Sequence, residues 1–182
     1  MESKEESKQI CWYVMRDLKR PNAKTPAYKQ FRDNHIEVFT PMKWCLKIQK
    51  GKQVREEIPF ISDLLFVHAS REVIDPIVEK TPTIQYRYCK GANYRNPMMV
   101  NDLDMERFIH AVKASSTPKY YMPEEISSEM CKRSIRIIGG YLNGYEGFLL
   151  TVRGSKVKRL LVQLPNFFSV GVEVSPDMIE FL

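Results

Sequence analysis

No apolar run in this chain approaches the roughly 20 residues a membrane span requires, and no apolar stretch follows its first charges as a secretory leader would need. The expectation is a cytoplasmic protein with no membrane partner. Cysteine is sparse: Cys11, Cys45, Cys89 and Cys131 stand far apart, without the close pairs of zinc or redox motifs, so they read as reduced, half-buried thiols. Histidine is scarcer still. His35, His68 and His110 are scattered with no nucleophile beside them, and His68, at a strand end, reads as structural. There is no glycine-rich phosphate loop and no metal-binding histidine pair. These absences point to a protein that is not an enzyme and carries no cofactor or metal.

What the chain does have is apolar bulk. Nine Phe, nine Tyr and two Trp in 182 residues are enough to fill real cores, at 43% hydrophobic and 27% charged residues. Two unequal domains are expected at this length. Residues 1–9 are almost all polar and read as a solvated tail. A net charge of +6 gives a mild field favouring polyanions, which makes nucleic acid a weakly indicated partner.

The aromatic and β-branched run from Ile10 to Arg16 suits a first strand. After a polar loop, Pro26 is placed to start a helix over 27–34, with Tyr28 and Phe31 inward. Short extended segments at 37–41 and 43–48 lead to a hairpin tip at Lys50, Gly51 and Lys52, with a returning arm over 53–59. Phe60 to His68 reads as a central strand buried on both sides. Ser70 is placed to cap a helix running to about Glu79, made short or irregular by Pro76, and Ile84 to Tyr88 suits another strand. The clearest helix follows Asn101 or Asp102, with Leu103, Phe108, Ile109 and Val112 as its apolar stripe. Alternating strands and helices give an α+β sandwich with one mainly antiparallel sheet over residues 10–115.

From Ser115 to Met130 the apolar period is lost among Ser, Thr, Pro and Glu, so 116–131 reads as a linker. Residues 132–182 are short-strand sequence punctuated by six glycines, which implies a small all-β barrel. Gly144 and Gly147 suit a sharp turn between its first two strands as residues that accept positive φ.

Four marks in order carry a family resemblance: Trp12-Tyr13-Val14 opening the first strand, Phe39-Thr40-Pro41 after the first helix, Phe60 to Val67, and Asn96-Pro97-Met98 to Asp102 before the last helix. They are followed by Gly139-Gly140-Tyr141-Leu142-Asn143-Gly144-Tyr145-Glu146-Gly147. In this the chain resembles NusG-like transcription elongation factors, an NGN domain followed by a KOW domain, and most resembles specialised antiterminator paralogues of the UpxY and RfaH type. For the glycine series an ordinary hairpin of an unrelated small barrel is the competing reading.

The resemblance implies a monomer whose NGN domain docks an apolar patch on the clamp helices of RNA polymerase and keeps the clamp closed, suppressing pausing or termination. Tyr13, Phe39, Ile61, Leu64 and Phe66 are the patch expected on that basis, although core filling competes for each, most strongly for Phe66. Where the family usually places an aromatic-Pro-Gly-aromatic sequence, this chain has Ile61-Ser62-Asp63-Leu64, which keeps apolarity without the aromatic area. Lys19, Arg20, Lys24, Lys29 and Arg32 fall where RfaH-like relatives meet exposed non-template DNA; each suits either a phosphate contact or a solvated helix face. The KOW motif would comprise Gly139, Gly144, Gly147, Tyr145 and Phe167, with Tyr141 and Phe168 also near its loops, and would recruit Rho, a ribosomal protein or nascent RNA. Six glycines and Pro165 favour a constitutive barrel over the helical hairpin some relatives form. The rival function is an RNA- or ribosome-associated KOW-domain protein with no polymerase contact.

Overall fold

The computed structural model describes residues 6–19, 25–88, 96–131, 133–151 and 154–182. They form two compact units, Met1–Asp102 and Leu103–Leu182.

In the first unit, β1 (Cys11–Asp17) is followed by α1 (Ala27–Asp33), β2 (Glu37–Phe39), β3 (Met42–Gln49), β4 (Lys52–Pro59), β5 (Leu64–Ala69), α2 (Arg71–Lys80), β6 (Ile84–Tyr86) and β7 (Met99–Val100). The main sheet runs β2-β5-β1-β6, with β7 also on β1, and every ladder is antiparallel. Strand alternation sends Tyr13, Met15, Leu65 and Val67 to one face, where they join Phe31 of α1, Ile74 of α2 and Ile84 in a single apolar cluster. Trp12, Val14, Leu64 and Phe66 alternate to the opposite face and are buried as well. Burial on both faces explains why β1 and β5 read as continuous apolar runs.

Asp17, at the end of β1, is buried yet charged. Its carboxylate accepts the Ala27 N–H at 2.6 Å and the Lys19 N–H at 3.0 Å, so the first turn of α1 is capped from a neighbouring strand, Pro26 having no side-chain oxygen to offer. Asp17→Asn keeps an acceptor but loses the charge at the positive helix end. We expect a loss of about 0.5–2 kcal/mol by urea unfolding, in the range for a weakened cap.

Helix α2 continues through Pro76, where the sequence suggested a short or irregular element. Ser70 occupies its N-cap position without a side-chain bond. The expected central strand begins only at Leu64: residues 60–63 form a turn, closed by the Leu64 N–H donating to Ile61 O at 3.2 Å. Among the described residues, strands β3 and β4 leave the main sheet and pair with each other. Lys50 and Gly51 form their two-residue connection, both at positive φ (49° and 76°), as a twisted hairpin requires.

The second unit comprises α3 (Asp102–Ala114, whose first residue closes the unit before), β8 (Lys119–Tyr121), β9 (Arg133–Ile137), β10 (Glu146–Leu150), β11 (Arg159–Leu164), β12 (Phe168–Glu173) and β13 (Ile179–Phe181). Its sheet is antiparallel, ordered β13-β9-β10-β11-β12-β8. Ile135, Leu160, Val170 and Val172 are fully buried within it. Three expectations change here. The stretch taken as a linker, 116–131, supplies β8, in which Tyr120 pairs with Val170 and Tyr121 with Ser169. Helix α3 packs with the β strands, Phe108 standing edge-on to Phe168 with ring centroids 5.4 Å apart. And the strands, where a closed barrel was expected, pair along an open path that ends at β13 and β8.

The glycines of the β9–β10 connection work differently from one another. Gly139 and Gly144 have φ of 87° and 79°, conformations that disfavour any Cβ. Gly147 was expected to share that reason but is not in the left-handed region. A Cβ there would lie 2.6 Å from Leu161 O, so its need is the close approach of two backbones.

Candidate interaction surface

Of the five residues expected to form an apolar docking patch, three are core. Tyr13 is buried beneath the helices and meets Tyr86 edge to face at 5.6 Å; Leu64 and Phe66 are buried on the other side of the sheet. The patch was carried over from the resemblance, which does not say which faces of this sheet are covered; the register sends Tyr13 to one face and Leu64 and Phe66 to the other, and both are buried. Phe39 and Ile61 are partly exposed, and so is Phe60 beside Ile61. The Phe60 N–H donates to Pro41 O at 2.7 Å, which brings the 39–41 and 60–61 segments side by side. Lys43 Nζ stands 5.3 Å from the Phe60 ring centroid, a cation at the border of this apolar area.

The turn holding Ile61 is pinned from behind. Asp63 accepts hydrogen bonds from Arg87 at 2.8 Å and from Arg16 at 3.4 Å through one carboxylate oxygen, and its carbonyl accepts the Asp17 N–H at 3.0 Å. Asp63 therefore fixes the apolar turn without presenting its charge to a partner, a role that no local pattern discloses.

The five basic residues expected to meet nucleic acid divide differently. Arg20 and Lys24 lie outside the described residues. Arg32 and Lys29 are exposed on α1, and Lys19 is half-buried, with Nζ donating to Thr25 O at 3.0 Å. Lys19 and Lys29 share a cleft of about 560 Å³ with Tyr28, Lys47, Glu56 and Asp63. Its lining is mixed in sign. Three lysines face Asp17, Glu56, Glu57 and Asp63, and Lys47 is bound to Glu56 at 2.7 Å, a bond that pushes the lysine pKa up. Lys47, so paired, has little left for phosphate.

In the second unit Tyr141 is the most exposed aromatic, at 85%. Phe167 is partly exposed, whereas Phe168, expected near the loops, is buried against Phe108 and Tyr120. Tyr145 is tied to α3: its hydroxyl bonds His110 Nδ1 at 2.9 Å and donates to Arg107 O at 3.3 Å, while the Arg107 guanidinium lies 5.1 Å from the ring centroid. Arg107 also donates to Glu146 O. Desolvation raises the Tyr145 pKa, with Arg107 opposing it, so the hydroxyl keeps its proton and serves as a positioned donor.

Among the described residues no cluster of His, Cys, Asp or Glu could hold a metal ion, and no helix is long and apolar enough to cross a membrane. No curated protein matches the chain. Residues 10–109, more than half of it, match the family model described as transcription termination factor NusG.

Proposed function

Since the chain belongs to the NusG family of transcription factors, we propose that it is an elongation regulator of the operon-specific antitermination type, acting by binding and not by catalysis. On this reading the first unit is an NGN domain that grips the clamp helices of RNA polymerase and holds the clamp closed, so that pausing or termination is suppressed. The second unit is a KOW domain recruiting a further factor through the side that carries Tyr141 and Phe167.

One observation supports the docking mode above others: Phe39, Phe60 and Ile61 are partly exposed apolar side chains on adjoining segments of the matched unit. Covering them yields free energy only when a partner removes them from water. The Asp63 ion pairs hold the turn in one conformation before binding, which lowers the ordering cost of association.

The test uses purified polymerase core and nuclease-treated full-length protein. Ile61→Asp with Phe39→Glu places charges in the apolar area, and we expect affinity to fall at least about tenfold, equivalent to about 1.4 kcal/mol. Undiminished binding by a folded double variant overturns the docking mode. No binding by the unaltered protein points to the ribosome- or RNA-associated alternative.

A further inference from the structure

Residues 122–131 of the second unit lie across one face of its sheet. Ile126, Met130 and Cys131 are the partly buried anchors, packed against Tyr121, Leu150 and Leu161 in a small apolar cluster. Between the anchors, Glu124, Glu125, Ser127, Ser128 and Glu129 are exposed. Beneath, three side chains converge where Gly171 leaves room. A Cβ there would lie 3.1 Å from the Tyr121 ring, 3.3 Å from Arg159 Cδ and 3.3 Å from a Leu150 methyl.

The segment holds its own shape. The Met122 N–H donates to the Glu125 carboxylate at 2.7 Å, and the Glu125 N–H donates back to Met122 O at 3.0 Å. The Ile126 N–H donates to Pro123 O at 3.3 Å and the Met130 N–H to Ser127 O at 3.0 Å. Among the described residues one backbone hydrogen bond ties it to the sheet, from the Thr151 N–H at the end of β10 to Met130 O at 2.9 Å. The segment can therefore leave as a folded piece without breaking any ladder.

The closed arrangement serves Tyr121 badly. Its hydroxyl is shut off from solvent and finds no hydrogen-bond partner among the described residues. Desolvation raises its pKa, with Arg159 opposing and Glu125 of the segment adding to the rise. A buried donor without an acceptor is costly, and opening would return it to water. One flank is already unclamped: a cleft of about 360 Å³ is lined by Pro123 and Ile126 and, on the β11–β12 hairpin, by Gln163, Phe167 and Ser169.

We propose that residues 122–131 are a strap that opens as a unit while the sheet beneath stays paired, switching the face of Tyr121, Leu150 and Leu161 between hidden and exposed. Opening breaks the Met130 bond, withdraws three anchors and frees the Tyr121 hydroxyl.

Cys131 reports the strap's position, because desolvation raises its pKa and keeps the closed thiol protonated and slow to react. Full-length protein carrying Cys11→Ala, Cys45→Ala and Cys89→Ala is treated with an aromatic disulfide reagent at several urea concentrations below the unfolding transition. Labelling is expected without urea, at a rate that changes with urea far less than global unfolding does, since little surface is exposed. Tyr121→Phe removes the unmet hydroxyl from the closed form and slows labelling about fivefold. Ile126→Ser removes an anchor and speeds it about fivefold. In the unaltered chain, the Thr151 amide exchanges its hydrogen at least about tenfold faster than the ladder amides of β11.

Labelling that carries the full urea dependence of global unfolding overturns the proposal, and so does exchange of the Thr151 amide at the rate of the ladder. Fast labelling that ignores both Tyr121→Phe and Ile126→Ser overturns it too, because the reagent would then reach Cys131 with the strap in place. No polymerase enters these measurements, so their failure leaves the docking reading untouched.

Discussion

Phe66→Ala is expected to lower the stability of the first unit by about 3–5 kcal/mol, the range for emptying a phenyl ring's place in a packed core. Phe66 is fully buried in β5, paired with Val14 on one side and Phe39 on the other, with the Phe39 ring centroid 6.3 Å away. Interiors are packed closely enough that neighbours on two hydrogen-bonded strands cannot collapse into such a void. Both tryptophans belong to this unit, so urea unfolding followed by their emission isolates its transition. Ile61→Asp serves as the comparison. Being in a partly exposed turn, it should leave the midpoint close to that of the unaltered chain while lowering polymerase affinity. An unshifted midpoint in Phe66→Ala would return Phe66 to the list of surface groups.

Gly147→Ala carries the second large effect, about 1–3 kcal/mol, for forcing an extra carbon into a filled site. The added methyl would lie 2.6 Å from Leu161 O and 3.0 Å from a Leu160 methyl. The carbonyl is the harder obstacle, because Leu161 is flanked by strands on both sides, pairing with Phe148 of β10 and Gly171 of β12. Relief therefore requires β10 and β11 to separate. Gly144→Ala tests a different cause in the same loop: nothing lies within 4 Å of its Cβ position, and the strain there is that of φ at 79°. We expect the Gly144 variant to lose about 1–2 kcal/mol, the cost of a side chain in the left-handed region, read by thermal unfolding in far-ultraviolet circular dichroism. A Gly144 variant as stable as the unaltered chain would contradict that cause.

Those two glycines illustrate what the sequence discloses and what it conceals. The local signals were sound: Lys50-Gly51 gave the hairpin tip, Pro26 the start of α1, the stripe through Phe108 gave α3, and the marks from Trp12 to Asp102 gave the family. Each depends on neighbours in the chain. The misreadings concern partners distant in sequence. Nothing near Gly147 reveals that Leu161 O will press against it, and nothing near Asp17 reveals that it caps a helix ten residues away. Tyr13 and Phe66 were placed on a surface by the resemblance, whereas the register sends them to opposite faces of the sheet and both are buried. Lys19 and Lys29 looked like part of a basic field until the fold set acids from β4 and the 60–63 turn beside them. Trp44, Leu46 and Ile48 were legible as one face of a strand, but an exposed face is the rarer fate of such a pattern, and only the ribbon's departure from the main sheet exposes it.

The pairing of Lys119–Tyr121 with β12 also bears on how the C-terminal portion tolerates excision. A fragment beginning at residue 132 would discard that short border strand, leaving the N–H and C=O groups of Ser169 to Gly171 without their ladder and baring the side of Gly171 against which Tyr121 rests. Such a fragment would be prone to stick to its own kind, whereas one begun ahead of Thr117 keeps its hem.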